Sequence, residues 1–292
     1  MPDLRTAPRI DDDTGTSTPV RSRRFPHLGA HSFLMLASVL VIFPFVWQVV
    51  TSFKTLAESL RIPPTPLPQE FDASNYVDVF DQMPLLNMFG VSVAYALVLV
   101  FGHVFLGSMA AYAFACLRFP FRNALFYALL SLLMVPRQMF LLPQYEIIQG
   151  VGLTNTFAGL AAPHFVGFFT VFLMRQFFLS LPRELMESAK LDGAGPFRTY
   201  FSVMLPLAKP GLIAATIVVV LYSWNDLLWP LIVISDERKS PLSVGLANFQ
   251  GEFLTDRPML MAAATLASVP LIVLFLFLQK QFIQGIAFTG SK

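Results

Sequence analysis

Charge is the scarcest property of this 292-residue sequence: Asp, Glu, Lys and Arg together make up 13% of it. An ordinary soluble chain carries about a quarter, so there are too few solvated side chains here to cover a soluble domain. That shortage argues against a soluble enzyme, and the 55% hydrophobic content argues against a disordered chain. A formal net charge of +2 and a pI near 8.7 are too mild for a phosphate-binding surface, which excludes a nucleic-acid partner. The single cysteine, Cys116, allows neither an internal disulfide nor a cysteine-based metal cluster. Four histidines include no pair at metal-ligand spacing. No Ser–His–Asp arrangement or catalytic carboxylate pair stands out. A G-x-x-x-x-G-K-[ST] phosphate loop is also missing, so ATP cannot be held in that way. Trp is rare too, three residues against thirty Phe, which marks the aromatic content as bulky apolar filler.

Long apolar runs are what remains. A helix crosses the hydrocarbon with about 20 mostly apolar residues, and six stretches qualify: 31–53, 88–117, 123–142, 157–179, 212–234 and 259–282. No strand-like alternation of a barrel is present. The fold class is therefore all-α, a polytopic membrane protein with six transmembrane helices. Residues 1–30 read as a disordered polar tail with no signal-peptide pattern, so the first span is retained. A six-helix transmembrane domain would occupy 31–286, with a short cytoplasmic tail at 287–292.

Lys and Arg set the orientation, because cytoplasmic loops hold the excess of them. Fourteen of the twenty fall on one side, in the tail, in the run Arg118–Arg122, at Arg175, in the segment 180–211 and near the C-terminus. Both termini are then cytoplasmic, and the segments 54–86 and 235–258 face outward. Within the spans, Gly102, Gly107 and Ser108 read as sites of close helix packing. Lone His103 and His164 read as helix–helix hydrogen-bond partners.

The cytoplasmic segment 180–211 is too polar to span and too complex to be a linker. Pro182 and Glu184 suit the first turn of a helix. Leu181, Leu185 and Ala189 then fall on one face, with Arg183, Glu187 and Lys190 on another. Gly193 permits the left-handed residue that ends a helix, and Pro196 prevents continuation. A second short run, 197–204, leads to Leu205-Pro206. The physics leaves two readings open: an interfacial helix resting on headgroups, or a docking element for another protein.

The run Glu187-Ser188-Ala189-x-x-Asp192-Gly193-Ala194, followed by Leu205-Pro206, resembles the EAA loop of ABC importer inner-membrane subunits. TSFK (51–54), AYAFACLRFPFR (111–122), VPRQMFLLPQY (135–145), GLTNTFAGL (152–160), WNDLLWPL (224–231) and QKQFIQGIAFTGSK (279–292) are similar to the carbohydrate, maltose-type branch of that family. Ser188 stands where the family usually has Ala, Tyr200 where it usually has Phe, and Gly195 replaces a common Ser or Thr. Residues 1–30 have no counterpart.

The resemblance implies a permease subunit of a binding-protein-dependent importer for a sugar or sugar derivative, in the cell membrane. Glycerol phosphate or another small polar solute is the alternative. The implied partners are a second homologous permease subunit, a cytoplasmic ABC ATPase dimer and an extracytoplasmic solute-binding protein, with membrane lipid around them. ATP and Mg would be used by the partner ATPase, and no cofactor would be bound here. Glu187, Ser188, Ala189, Asp192, Gly193, Ala194, Leu205 and Pro206 would seat in the ATPase. The C-terminal residues Thr289, Gly290, Ser291 and Lys292 would touch it as well. The outer loop 235–258 would approach the binding protein.

Polar residues inside spans are costly and therefore informative. Tyr222, Trp224 and Asn225 in the fifth span, with Gln138 in the third, are the candidate lining of a translocation path; helix–helix packing is the competing reading for Asn225. Asp226 reads as near the interface. Pro136-Arg137 allows either a broken helix facing a cavity or an early helix end with Arg137 snorkelling to the headgroups. A stand-alone secondary transporter would need internal repeats and ion-coupling carboxylates at mid-membrane, and neither is visible.

Overall fold

The computed structural model describes residues 28–249 and 256–290, with side chains described for 29–249 and 256–279. Among the described residues every regular element is helical. The chain divides into two compact units, Met1–Val46 and Trp47–Lys292. In the first, the described residues form the opening of helix α1 (Leu28–Ser52), so helix already covers 28–30, the last three residues of the expected tail. The rest of that tail, 1–27, lies outside the described residues.

In the second unit, α2 (Asn75–Gln82) precedes α3 (Leu85–Cys116), whose middle, Gly102–Gly107, is wound as π-helix. The tight basic turn after α3 holds Phe121 at φ 60° and is tied by Arg122 Nη1 donating to the Leu117 carbonyl at 2.9 Å. There follow α4 (Arg122–Leu132), α5 (Arg137–Gly150), α6 (Phe157–His164) and α7 (Phe168–Ser180). The segment 180–211 contains α8 (Glu184–Leu191) and α9 (Pro196–Leu207), and α10 (Lys209–Trp224) leads back through the apolar region. The chain ends with α11 (Leu228–Val233), α12 (Leu242–Asn248) and α13 (Arg257–Gly290).

Three helical stretches are long and apolar enough to cross a membrane alone: Gly29–Ser52, Leu85–Cys116 and Arg257–Gln279. The other three spans expected from hydropathy are broken. α4 and α5 meet at 95°, α6 and α7 at 42°, and α9 and α10 at 78°; counting each pair once gives six spans. Two of these breaks have a local cause. Pro136 lacks a backbone N–H and pushes Val135 out of the helical region, so the stretch 123–142 is two helices. Gly167 stands at the α6–α7 bend, where a Cβ would overlap the imidazole of His103. The stretch 212–234 is interrupted after Trp224, where 225–227 leave the helix before α11.

Three apolar clusters hold the second unit together. One joins α3 and α13 around Met88, Trp224 and Ala263. Another centres on Tyr95, Leu160 and Trp229, whose indole N–H donates to the Leu160 carbonyl at 3.1 Å. The third, at the end nearest α8 and α9, contains Tyr112, Met174, Phe178, Tyr200 and Met204.

The segment between α1 and α2 is ordered by one buried carboxylate. Glu58 accepts from the Thr65 hydroxyl at 2.6 Å and from the Gln69 backbone N–H at 3.0 Å. Lys54 Nζ donates to the Thr65 carbonyl at 2.5 Å, and Arg61 bonds Gln69. The Thr65 hydroxyl, acting first, holds the Glu58 carboxyl below its usual range against the opposing effect of burial; the Gln69 N–H adds to the lowering.

Candidate functional site: a cytoplasmic docking helix and a transmembrane cavity

The segment 180–211 forms the expected helix, turn and second helix. Gly193 has φ 76°, a left-handed conformation that glycine adopts without a Cβ penalty. Around it, Ala194 N–H donates to the Ala189 carbonyl at 2.9 Å and Gly193 N–H to the Lys190 carbonyl at 3.0 Å. This crossed pair is a Schellman ending, which satisfies two carbonyls that the helix would otherwise leave bare. Asp192 sits at the C-cap and its backbone N–H reaches the Ser188 carbonyl.

One face of α8 is turned inward: Ala189 is buried, Leu185 is half-buried, and Leu181 and Met186 pack against the third cluster. The opposite face is bare. Glu187, Ser188 and Asp192 are exposed, and Leu191 is 89% exposed. Ala194 and Leu205 are half-buried and Pro206 is exposed. Of the C-terminal candidates, Thr289 and Gly290 are the final residues of α13, while Ser291 and Lys292 lie outside the described residues.

The segment 180–211 is fastened to α3 through two tyrosines. Tyr200, 2% exposed, places its hydroxyl 2.6 Å from Ser108 Oγ on α3. Tyr112, also on α3, donates to the Pro196 carbonyl at the start of α9 at 3.2 Å. The two rings lie 5.3 Å apart. Tyr200 begins a π-helical turn (Tyr200–Met204), and Ser108 follows the π-helical turn of α3. The sequence singled out Tyr200 only as a departure from the family pattern, with no sign that its hydroxyl would find Ser108.

Above this lies a cavity of about 920 Å³ walled by residues of α3, α5, α6, α7, α10 and α11. Gln138, Tyr222 and Asn225 line it, as do Arg137, Asp226, His103 and His164. Trp224 is not part of its lining. Its indole is 8% exposed, donates to the Ala267 carbonyl of α13 at 3.1 Å and meets the Phe89 ring edge-on at 5.9 Å. Asn225 Nδ2 caps the Leu221 carbonyl at 2.8 Å with its side chain exposed.

Four further residues enter the cavity wall that sequence patterning had not grouped. Arg137 comes from the break between α4 and α5, as the broken-helix reading has it, and its guanidinium lies 4.2 Å above the Tyr222 ring. Asp226, far from resting at the interface, accepts from the fully buried Tyr95 hydroxyl at 3.0 Å. His103 Nε2 contacts the His164 carbonyl at 3.0 Å and its Nδ1 contacts Thr170 Oγ1 at 2.8 Å. A carbonyl only accepts, so His103 Nε2 carries a proton. His164 Nδ1 is buried without a hydrogen-bond partner. His103 and His164 are 61 residues apart, a separation that no local pattern encodes. The π turn lies against the α6–α7 link and α7: a Cβ at Gly102 would overlap the Phe165 carbonyl, and one at Gly107 would sit 3.3 Å from Thr170 Cγ2. Among the described residues, no three His, Cys, Asp or Glu side chains gather as a metal site.

Comparison with known proteins gives one consistent relationship. The family described as binding-protein-dependent transport system inner membrane component matches residues 28–288. The sn-glycerol-3-phosphate transport system permease protein UgpE of Rhizobium meliloti (strain 1021) is 33% identical over 284 residues, covering 92% of this chain and 99% of that one. The arabinooligosaccharides transport system permease protein AraQ of Bacillus subtilis (strain 168) is 34% identical over 265 residues, covering 89% and 94%. Among solved structures, a chain from a bacterial ABC transporter involved in the import of the acidic polysaccharide alginate superimposes with a TM-score of 0.79 at 21% identity, covering 91% of this chain and all of that one. This last likeness is one of fold.

Proposed function

The chain belongs to the family of binding-protein-dependent transport system inner membrane components, and we propose that it forms half of a translocation path for a sugar or sugar derivative. It is a transport subunit of an ABC importer, embedded in the inner membrane and working with other subunits, and it is not an enzyme. The carbohydrate assignment draws on relatives named for arabinooligosaccharides and for sn-glycerol 3-phosphate. A neutral oligosaccharide and a phosphorylated polyol both suit a cavity that offers Gln138, Asn225 and Tyr222.

The partners in this reading are a second, homologous permease subunit, a cytoplasmic ATPase dimer and an extracytoplasmic binding protein. In this reading ATP and Mg belong to the ATPase and both termini face the cytoplasm, which the placement of Lys and Arg supports. The observation that carries the proposal is the two-faced helix α8. Its inner face is packed on the bundle, and its outer face presents Glu187, Ser188 and the almost fully exposed Leu191 next to a fixed Gly193 turn. An amphipathic helix whose apolar tip is bare fits a groove in another protein. Held by Tyr200 and Tyr112, the segment can act as a lever: displacement of α8 reaches α3 through two side-chain contacts.

Copurification tests this directly. The tagged chain, coexpressed with the ABC ATPase of its own transport system, is expected to retain that ATPase through detergent extraction and size exclusion. Glu187→Arg, a substitution on the exposed face, is expected to lose it while the chain still inserts and folds. Transport by this chain alone in liposomes would overturn the reading.

A further inference from the structure

The turn 235–240 is held from a distant part of the chain by one residue. Asn155, in the link between α5 and α6, accepts through a single side-chain oxygen, Oδ1, from the backbone N–H of Ser235 at 3.2 Å and of Asp236 at 3.1 Å. Its own N–H donates to the Val233 carbonyl at 2.8 Å, and its carbonyl accepts from Lys239 Nζ at 3.4 Å. Asn155 does this at φ 57°, a left-handed conformation that asparagine adopts more readily than most side chains. On one flank of the turn, Val233 and Ile234 are buried in the cluster of Leu160 and Trp229. On the other, buried Ser240 donates from Oγ to the Asp236 carbonyl at 3.2 Å, and the Leu242 N–H donates to the buried Ser92 Oγ at 2.8 Å. The turn is fixed at both ends.

What it presents is charge, in a chain that has little. Asp236 and Lys239 are used internally: one Asp236 oxygen accepts the Arg238 N–H at 3.0 Å, and the other faces Lys239 Nζ at 3.7 Å. Glu237 and Arg238, at the tip, are exposed, and among the described residues neither has an oppositely charged side chain within 4.0 Å. Charges that serve only solubility need no fixed backbone. Two exposed charges of opposite sign, on a turn pinned from 80 residues away, are arranged for a surface carrying the matching pair. Pinning also lowers the cost of association, because a segment already ordered loses little freedom when a partner meets it.

We infer that Asn155 is a positioning residue for capture of the extracytoplasmic solute-binding protein. Its side-chain oxygen sets the backbone of 235–236, and the turn so held offers Glu237 and Arg238 to that protein. This rests on the importer reading above, which supplies the partner and the outward side of the turn, and it deepens that reading by naming the residue that shapes the contact.

The test uses the assembled transporter, this chain with its permease and ATPase partners in lipid nanodiscs, and the purified binding protein of the same transport system. Biolayer interferometry reads the dissociation constant, and ATP hydrolysis without binding protein reads the integrity of the complex. Asn155→Gly keeps the left-handed backbone and its main-chain contacts and deletes only the side-chain acceptor. It is expected to weaken binding about tenfold, with hydrolysis unchanged, because the turn must then be ordered at the moment of association. Asn155→Asp keeps the oxygen, with Lys239 beside it to offset the added charge, and should retain most of the affinity. Glu237→Lys combined with Arg238→Glu reverses the tip and should weaken binding at least as much. Adding Asn155→Gly to the reversed tip should weaken it no further, since the pin acts only through the tip. Unchanged affinity of Asn155→Gly, a loss of hydrolysis that matches the loss of affinity, or a further loss of similar size on the reversed tip would each overturn the inference. The reversed tip touches no packed residue, so unchanged binding there overturns it even where Asn155→Gly fails to assemble. Failure of the importer reading looks different: the ATPase would not copurify and the parent complex would not form.

Discussion

The hydroxyl of Tyr200 lies 2.6 Å from Ser108 Oγ, and this contact ties the segment 180–211 to α3. Ser108 donates its own proton to the Val104 carbonyl, so the Tyr200 hydroxyl is the donor of the pair. Both residues are almost fully buried.

That asymmetry fixes the order of two substitutions. Ser108→Ala removes the acceptor and strands a buried phenolic O–H, at a cost of about 1–3 kcal/mol. Tyr200→Phe removes the donor and leaves Ser108 bonded within its own helix, at a cost of about 1 kcal/mol. Combining them should restore part of the Ser108→Ala loss, so the double-mutant cycle is non-additive. Thermal unfolding of the detergent-solubilised chain reads the order, and equal losses with strict additivity would contradict the hydrogen bond.

A second contrast lies within α3. Gly102 abuts the Phe165 carbonyl, whereas Gly90, on the same helix, has open space where a Cβ would stand. Gly102→Ala should cost about 1–3 kcal/mol, because the α3 backbone and the Phe165 carbonyl must part. Gly90→Ala should be neutral or stabilise by up to about 1 kcal/mol through helix propensity. Melting temperature and yield of folded protein separate the two, and a harmless Gly102→Ala would mean that the α3 backbone and the Phe165 carbonyl do not meet there.

The outer loop has its own pH signature. Glu58 is held below its ordinary value of 4.5, chiefly by the Thr65 hydroxyl. A carboxyl lowered in the folded state lends stability that is fully present above the unfolded value and drains away as pH falls through the folded one. Hydrogen exchange of residues 55–70 should therefore stay slow from neutral pH down to the ordinary carboxylate range and quicken only below it. Glu58→Gln should quicken it at pH 7, and a variant indistinguishable from the parent at all pH values would remove Glu58 from this role.

The breaks in the bundle were partly legible in the chain. Pro136 announces the end of α4, and the Gly193 turn could be placed to the residue, because a positive φ followed by a proline nearby leaves a helix no way to continue. The angles of 95° and 78° were not legible, since they depend on where the next helix finds its neighbours. Trp224 shows the same limit from the other side. Adjacent to Tyr222 and Asn225 in sequence, it turns to Ala267 while they face the cavity.

By itself, the sequence determined which stretches are apolar enough to lie in lipid, which loops carry the cations, and where α8 must stop. Each is a local property, set by transfer free energy or backbone sterics over a few residues. Only the tertiary structure decided which face of each apolar helix turns inward, because in lipid an apolar side chain outside costs no more than one inside. It brought Arg137, Asp226, His103 and His164 to one cavity from four separate parts of the chain, and it matched Tyr200 to Ser108 across 92 residues.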